Sequence, residues 1–493
     1  MRKQISLKKN FIMNAILTLS SFIFPLITFP YVSRILLPVG TGRVSFATSV
    51  IAYFNMFAQL GIPTYGIRAC ARVRDNKEEL TRTTHELLMI NVIMSIFMYI
   101  VLAAALAFIP RLRADRLLFI IVSASIFLNA IGMEYLYRGL EQYTYITVRS
   151  IIFKFIALAA MFLLVHQKSD YIIYGGISIF AASASNIMNF INARKYIYMH
   201  PVGGYNMRRH FKAVGIFFAM SVATTVYTNL DTIMLGFMTT DDDVGYYNTA
   251  VKIKVILVGI VTSLGGVLLP RSSYYVENGQ MDEFRRLSRK ALRFVWLLAA
   301  PLALYFILFS AQGIYFLSGP AFKGSILPMQ WIMPTVLFIG LTNITGIQIL
   351  VPLGREKYVL YSEIGGAVTD LIINALLIPH FKSTGASIGT LAAEFVVLLI
   401  QCIALKDTAK KLFSSLPYLE SILGLALASL GSVWAVWLHF VENLTLNSFL
   451  ILIISAVCFF GIYIIVLVLF KEPLLKEMAQ TAVGKLKAKT GGS

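Results

Sequence analysis

Charged side chains inside long apolar segments are the first candidates for chemistry in this sequence. Asp231 lies in one such segment and Lys252 in the next. Because an ionised group is costly in a lipid bilayer, such residues usually pair or serve a function. A helical hairpin would bring these two to a similar depth. There they would either bind a proton, a cation or a phosphate, or form an ion pair that only lets the hairpin pack.

A second group of charges surrounds a short polar connection. Glu134 and Arg138 lie four residues apart at the end of one apolar segment, and Arg149 and Lys154 lie at the start of the next. These basic groups could hold a pyrophosphate, since Arg and Lys bind phosphate through charge-assisted hydrogen bonds. The alternative interpretation is ordinary anchoring of two helix ends at the membrane interface.

Four further charges have two interpretations each. Asp370 and Glu394 lie in apolar segments near the end of the chain, where a carboxylate binds a proton or cation, or is only hydrogen-bonded between helices. Arg34 and Arg43 flank a turn between the first two segments. They would bind an anionic ligand, or, in the case of Arg34, complement the end of a helix.

The sequence lacks the motifs of several enzyme classes. It contains no GxxxxGK[ST] loop for a nucleotide and no HExxH pair for zinc. The three cysteines are far apart and apolar in context, so we expect no disulfide and no metal site; they are Cys70, Cys402 and Cys458. The acidic run 241–243 fits the charged first turn of a helix. We therefore expect no catalytic residue, no cofactor and no enzyme.

The composition is that of an integral membrane protein. Of the 493 residues, 58% are hydrophobic and only 14% are charged, against about 25% charged in soluble domains. The mean hydropathy is +0.75. A chain with so few charges could not cover a soluble surface, so the class predicted is all-α and polytopic.

Windows of about 20 apolar residues predict the spanning helices. The first apolar run is too long for a cleaved signal peptide. We expect about fourteen spans, at 11–33, 44–65, 85–109, 117–138, 148–165, 171–193, 211–237, 246–269, 291–310, 326–350, 358–378, 385–405, 417–438 and 447–470.

The distribution of basic residues orients these spans. With the N-terminus placed in the cytoplasm, 32 of the 43 Lys and Arg residues fall inside, 8 outside and 3 within spans. This asymmetry follows the positive-inside rule and predicts that both termini are cytoplasmic. The net charge of +19 is then a signal of topology and not of nucleic-acid binding.

A weak internal repeat divides the chain. Segment 33–50 resembles segment 231–253 at an offset of about 203. Each has a tight turn, followed by a glycine, Gly42 or Gly245, and then by an aromatic residue, Phe46 or Tyr247. Transporters commonly contain such repeats, with the substrate site at their interface. We predict a six-helix lobe at 1–205, a second at 206–411, and a final helix pair with a basic cytoplasmic tail at 412–493.

Six blocks of sequence, in this order along the chain, carry a resemblance to a known family. They are NFIMN (10–14), YVSRILLPVGTGRVSFA (31–47), LGIPTYGIRACAR (60–72), MEYLYRGLEQYTYITVRS (133–150), NLDTIMLG…VGYYNTAVKI (229–253) and LIINALLIPHFKSTGASIGTLAAE (371–394). Together they resemble the Wzx-type flippases, which export the lipid-linked oligosaccharides of O-antigen and capsule. The chain departs from the family's usual LGP.YG at Thr41, where an aromatic residue is expected.

The resemblance implies two six-helix lobes around a central cavity, as in the MOP superfamily with MATE exporters and the flippase MurJ. It implies a cell-membrane protein of the bacterial inner membrane for polysaccharide and lipopolysaccharide biosynthesis. Its cargo would be a polyprenyl-pyrophosphate-linked oligosaccharide, moved to the outer leaflet by alternating access. Its expected partners are this cargo and the lipid bilayer, and a polysaccharide polymerase and chain-length proteins are further candidates.

Site residues follow as hypotheses. The basic residues proposed to contact the substrate are Arg34, Arg43, Arg138, Arg149 and Lys252. The acidic residues proposed for ion coupling or ion pairing are Asp231, Glu134, Asp370 and Glu394. Two other functions compete. A MATE-like drug or cation antiporter predicts acidic cavity charges, and a membrane glycosyltransferase or polysaccharide polymerase predicts a large acidic outer loop.

Overall fold

Helices make up the described part of the protein, residues 7–263 and 265–477 of a computed structural model, and no strand occurs among those residues. The chain forms two compact units, Met1–Gly245 and Tyr246–Ser493. Long apolar helices dominate both units. The expected all-α membrane fold is confirmed.

The first unit is built around one very long helix. The helix α1 packs against α3, α5, α7 and α10. A π-helical segment, Phe180–Ala184, joins α8 to Ser185 and α9. The helices in chain order are α1 (Leu7–Gln59), α2 (Ile62–Arg72), α3 (Lys77–Phe108), α4 (Pro110–Ala114), α5 (Arg116–Gly132), α6 (Glu134–Gly139), α7 (Tyr143–Leu164), α8 (Tyr171–Ile179), α9 (Asn186–Ala193) and α10 (Arg208–Met238).

The second unit begins inside the next helix. A core of aromatic side chains, with Tyr305, Phe309 and Phe459 among them, holds its last helices together. A second π-helical segment, Asn343–Leu350, follows α16. The helices are α11 (Asp241–Thr262), α12 (Gly265–Glu277), α13 (Met281–Leu308), α14 (Ser310–Ser318), α15 (Ile326–Ile332), α16 (Thr335–Thr342), α17 (Glu356–Leu405), α18 (Asp407–Phe413), α19 (Tyr418–Ser432) and α20 (Leu444–Leu469).

Two helices of double length each contain one non-helical residue. In α1 this residue is Leu37, with φ 58°, and it precedes a proline, which disfavours helical geometry at the residue before it. In α17 it is Lys382, with φ 51°. Three residues later, a Cβ on Gly385 would lie 2.6 Å from the carbonyl oxygen of Leu377. The chain therefore folds back sharply at Lys382. The turn expected between Arg34 and Arg43 contains the break at Leu37, and helix continues on both sides of that residue.

Ten described helices are long and apolar enough to cross a membrane, or eleven if the bent pair Pro320–Ile332 and Thr335–Leu350 counts as one span. Two of the ten contain the breaks at Leu37 and Lys382. The apolar helix α5, with 17 residues, is shorter than these ten and is not among them. The exact number of fourteen stays a prediction.

Four connections predicted on the outer side meet in one ion-pair cluster, which we call the Asp241 cluster. Arg43 donates to Asp241 at 3.0 Å and lies 3.5 Å from Asp115. Arg111 also pairs with Asp241. Tyr171 donates from its hydroxyl group to Asp115 at 3.1 Å. The turn within α1 and the connections before α5, α8 and α11 thus share one end of the first unit.

Connections predicted on the opposite side also meet. Glu86 of α3 is fully buried and accepts hydrogen bonds from Arg209 and from the backbone of Asn206. His210 lies 2.7 Å from the same carboxylate. Nearby, Arg82 donates to the carbonyl oxygen of Gly203 at 3.0 Å. These contacts fasten the start of α10 to α3.

The two segments of the repeat touch each other reciprocally. A Cβ on Gly42 would lie 1.9 Å from the carbonyl oxygen of Asp241, and a Cβ on Gly245 would lie 2.2 Å from that of Pro38. Adding 203 to 42 and 38 gives 245 and 241, so each contact is the repeat of the other. The lobe boundaries at 205 and 411 nevertheless stay predictions.

Candidate functional site

A break between α5 and α6 positions the first two charged side chains of the site. Met133 has φ 40° and separates the two helices. Gly132 precedes it, and a Cβ there would lie 2.5 Å from the side-chain Cγ of Asn186. The absent side chain lets α9 approach closely. The short helix α6 then begins with Glu134 and carries Arg138 one turn later.

Glu134 bridges two arginines. Its carboxylate lies 2.7 Å from Arg138 and 3.3 Å from Arg149. Arg149 is only 7% exposed and also donates to the carbonyl oxygen of Ser185 at 2.9 Å. Its Nε atom has no hydrogen-bond partner among the described residues. One carboxylate therefore balances two guanidinium groups, and the cluster keeps one excess positive charge.

Lys154 adds a further positive charge from α7. Its ammonium group donates to the hydroxyl groups of Ser20 at 2.8 Å and Ser21 at 3.0 Å on α1. Neither serine can neutralise it. The Nζ atom also lies 5.9 Å from the ring centre of Phe24.

These four charged residues line one cavity of about 460 Å³ within the first unit, which we call the charged cavity. Three cations and one carboxylate give its wall a net charge of about +2. The rest of the wall is mostly apolar, with Phe24 and Leu158 from α1 and α7. The π-helical segment Phe180–Ala184 contributes Ala181 and Ala182. Such segments frequently occur at functional sites, because they interrupt regular helix packing.

A ladder of side-chain amides continues from this cluster. Arg149 lies 3.4 Å from the amide oxygen of Asn186. Asn186 donates to Asn129 at 3.1 Å, and Asn129 donates to Asn55 at 3.2 Å. Asn55 donates in turn to the hydroxyl group of Ser125 at 2.9 Å. The ladder joins α9, α5 and α1 by polar contacts inside an apolar bundle.

Two more cavities lie along the amide ladder. The middle cavity has about 320 Å³ and shares Glu134 and Arg138 with the charged cavity. The amide cavity has about 370 Å³ and shares Gln59 and Asn129 with the middle cavity. The charged cavity and the amide cavity also share Ala182. The three cavities therefore adjoin one another, and they differ from a charged part to an uncharged polar part.

The structure brings three of the predicted site residues together and places the others elsewhere. Glu134, Arg138 and Arg149 line the charged cavity, whereas none of the three cavities is lined by any of the remaining predicted residues, which are Arg34, Arg43, Lys252, Asp231, Asp370 and Glu394. Their assigned roles stay predictions.

Two of those arginines already have partners in the first unit. Arg34 donates to the carbonyl oxygen of Pro30, and Arg43 belongs to the Asp241 cluster. Asp241 itself is in the first turn of α11. The backbone N–H groups of Thr240 and Asp243 each donate to the side chain of the other, as in a capping box. The acidic run thus charges a helix N-terminus, as expected.

Three carboxylates predicted to lie in the membrane are buried, whereas Lys252 on α11 is half-buried. Asp231 on α10 is 6% exposed, and in the second unit Asp370 is 2% and Glu394 is 5% exposed. Gly389 lies opposite Asp370 and Asn374, where a side chain would collide with both. Carboxylates enclosed in this way suit either of the roles considered for them, coupling or hydrogen bonding between helices.

Sequence reasoning missed the amide residues of the site. Asn55, Asn91, Asn129 and Asn186 each lie in an apolar segment, where a single amide has no distinctive spacing. The spacing of Asn55 and Gln59 gives a faint signal, because residues four apart lie on one face of a helix and so indicate a polar face on α1. The convergence of α1, α5 and α9 on one ladder is not readable from local pattern.

Comparison with known proteins identifies the family. The model of the family described as "Polysaccharide biosynthesis protein" matches residues 7–276, more than half of the chain. A protein of Escherichia coli strain K12 named "Putative O-antigen transporter" is 25% identical over 400 residues, which cover 80% of this chain and 95% of that protein. "Probable flippase AglR" of Haloferax volcanii is 27% identical over 167 residues, 34% of this chain and 35% of that protein.

Solved structures agree on the fold. The inward closed conformation of the lipid II flippase MurJ superposes with a TM-score of 0.71 at 17% identity, covering 94% of this chain and all of that one. An inward-facing multidrug MATE transporter of the MOP superfamily gives 0.59 at 14% identity, covering 79% and 95%. The resemblance to Wzx-type flippases is therefore confirmed, and the chain belongs to the polysaccharide biosynthesis protein family.

Proposed function

We propose that the protein moves polyprenyl-pyrophosphate-linked oligosaccharides from the inner to the outer leaflet of a bacterial inner membrane. The observation that carries this proposal is the charged cavity, whose wall has a net charge of about +2 within an apolar helical bundle. A pyrophosphate diester has one negative charge on each phosphate. Charge and cargo therefore match, and the apolar remainder of the wall suits a lipid.

The charged residues of the cavity have different roles in binding the pyrophosphate. Arg138 and Arg149 present planar guanidinium groups, which recognise phosphate oxygens in pairs, while Lys154 acts as a point charge. Glu134 holds both arginines and keeps the empty cavity from carrying three uncompensated cations. Binding of the pyrophosphate would replace this carboxylate as partner of at least one arginine. An exchange of partners of this kind lets a site both bind and release its cargo.

The membrane arrangement belongs to the same proposal. Both termini lie in the cytoplasm, and two six-helix lobes open alternately to the two sides. The alternating opening is coupled to an ion gradient by three buried carboxylates, those of Asp231, Asp370 and Glu394. The name of the Escherichia coli relative supports an O-antigen type of cargo. A polysaccharide polymerase would take over the product. A drug or cation antiporter is disfavoured, because a wall with excess positive charge repels a cation.

The test is translocation by the purified, reconstituted protein. Liposomes receive a short polyprenyl-pyrophosphate oligosaccharide in the inner leaflet, and a membrane-impermeant lectin reports its arrival outside. Lys154→Gln removes one cation and should slow translocation by about tenfold or more, since a charge-assisted hydrogen bond contributes about 1.5–3 kcal/mol.

The matched control is Lys323→Gln, which removes the same charge from an exposed position. It should translocate as the unchanged protein does. Equal rates for Lys154→Gln and Lys323→Gln, at equal amounts of folded protein, would contradict the role of the charged cavity.

A further inference from the structure

The path of three adjoining cavities changes in chemical character along its length. Its first part contains Arg138, Arg149 and Lys154. The middle cavity keeps only Glu134 and Arg138 as charged residues and gains Asn91 and Asn129. The residues lining the amide cavity contain no Asp, Glu, Lys, Arg or His at all. An anion is therefore stabilised at one end of the path and an uncharged polar group at the other.

The amide wall of the path is held in place before any ligand binds. We use this name for Asn55, Gln59, Asn91, Asn129 and Asn186. Hydrogen bonds of 3.1 Å and 3.2 Å fix the middle of the wall through Asn129. A primary amide offers two donor hydrogens and an oxygen that accepts twice. Each member of the ladder thus keeps hydrogen-bonding capacity beyond the contacts it makes.

Asn91 is the member of the amide wall with an unpaired side-chain oxygen. It is 2% exposed on α3 and lines the middle cavity. Its carbonyl oxygen has no hydrogen-bond partner in the described part of the chain. Buried polar atoms are nearly always paired, because an unmade hydrogen bond is costly inside a protein. Asn91 therefore brings unused hydrogen-bonding capacity to the wall of the middle cavity.

We propose that the amide wall binds the sugars next to the pyrophosphate, and that these sugars are uncharged. The inference rests on the proposed function and names the substrate class of the same site. Sugar hydroxyl and acetamido groups both donate and accept hydrogen bonds, as side-chain amides do. In the amide cavity, whose lining residues include no cation, the carboxylate of a uronic acid would have no partner, and a buried charge without a partner is strongly disfavoured.

Binding to the full-length protein in lipid nanodiscs tests the inference with three probes. They are a sugarless short-chain polyprenyl pyrophosphate, the same carrier with a neutral trisaccharide, and the same carrier with a hexuronic acid in that trisaccharide. The unchanged protein should bind the neutral conjugate about tenfold more tightly than the sugarless carrier, as expected for a few added hydrogen bonds. It should gain little from the acidic one.

Asn91→Leu is the decisive variant. It should lose the tenfold gain from the neutral glycan, keep its affinity for the sugarless carrier, and unfold at no lower temperature, because it removes an unpaired polar atom. Asn278→Leu, at an exposed position, is the matched control and should bind all three probes normally. Gln59→Leu, which alters both the middle and the amide cavity, gives a second measurement of the same loss.

The outcomes separate the two proposals. If the sugarless carrier does not bind, the charged cavity is not a pyrophosphate site, and the inference falls with the proposed function. If the carrier binds but the neutral glycan adds nothing, the inference alone is overturned. It is also overturned if the acidic glycan binds at least as tightly as the neutral one, or if Asn91→Leu keeps the full gain.

Discussion

Arg149 shows how one side chain links stability to binding in this protein. It is only 7% exposed. Its positive charge is balanced by the carboxylate of Glu134, which it shares with Arg138, and it donates a hydrogen bond to a backbone carbonyl group. Removing one partner of a buried ion pair leaves the other charge unsolvated, which costs more than the pair contributes. Glu134 is therefore needed for the fold even if it never contacts a substrate.

Glu134→Gln tests this dependence. The substitution keeps the shape but removes the charge between Arg138 and Arg149, and we expect a loss of about 1–3 kcal/mol in unfolding free energy. Thermal unfolding in detergent would report a lower midpoint temperature than for the exposed control Glu277→Gln. An unchanged midpoint would mean that the two arginines are solvated well enough without the carboxylate.

Asp241 offers a second test at the scale of single residues. It accepts from Arg43 and Arg111, which come from two different connections. Asp241→Asn should leave both guanidinium groups short of charge and destabilise the protein by about 1–3 kcal/mol. The double variant Asp241→Asn with Arg43→Gln should lose less unfolding free energy than the two single variants lose together, because the two residues share one interaction. Strict additivity would contradict the pairing.

The charged half of the candidate site was predictable from sequence and the amide half was not. Glu134, Arg138 and Arg149 are conspicuous because ionised groups are rare in apolar segments. An asparagine in such a segment has no comparable signal. Asn55, Asn129 and Asn186 meet only because three helices converge, and convergence depends on long-range packing that local pattern does not encode.

At the scale of elements, helix breaks and glycine contacts decide where the chain turns. Gly42 and Gly245 each lie against a backbone carbonyl group of the other repeat segment. No side chain larger than hydrogen fits there without moving main chain. The two helical turns can therefore approach each other more closely than ordinary side-chain packing allows.

Gly245→Ala should consequently destabilise the protein, by about 1–3 kcal/mol as in other overpacked sites. Gly215→Ala is the matched control, because a Cβ there meets nothing within 4 Å. An alanine in that exposed helical position should be neutral, or stabilising by up to about 1 kcal/mol. Chemical denaturation in mixed micelles would compare the two. Equal stability of both variants would argue against a tight contact at Gly245.

The sequence signals some of these breaks and not others. Pro38 marks the break at Leu37, since the residue before proline avoids helical geometry. The gap between the predicted spans 358–378 and 385–405 signals the reversal near Lys382. No glycine or following proline marks Lys382 itself as the residue with φ 51°. The π-helical segments at Phe180–Ala184 and Asn343–Leu350 are also invisible in hydropathy, which averages over whole turns.

At the scale of the whole molecule, the distribution of charge and the meeting of connections agree. Arg43, Arg111 and Asp241 come from connections that the positive-inside rule places on one side, and they share one cluster. Arg82 and Gly203, from two connections assigned to the opposite side, are also in contact. An odd error in the number of spans between two of these connections would have separated the partners.

Labelling of single cysteines tests the predicted topology in intact cells. In a background with Cys70, Cys402 and Cys458 replaced by alanine, Lys323→Cys and Lys382→Cys should react with an impermeant maleimide. Lys290→Cys and Lys357→Cys should react only after permeabilisation. All four positions are exposed, so accessibility depends on the side of the membrane. The reverse pattern would invert the orientation.

The reciprocal contact of Gly42 with Asp241 and of Gly245 with Pro38 has a consequence for how the chain can evolve. A contact that repeats under a single shift in numbering has the symmetry of an isologous dimer interface. A half-length ancestor could have made it between two identical copies. After fusion of the genes the two glycines became free to diverge, yet each still faces a fixed carbonyl group. Relatives that carry a larger residue at one position should therefore compensate in the opposite turn, and the two positions should covary.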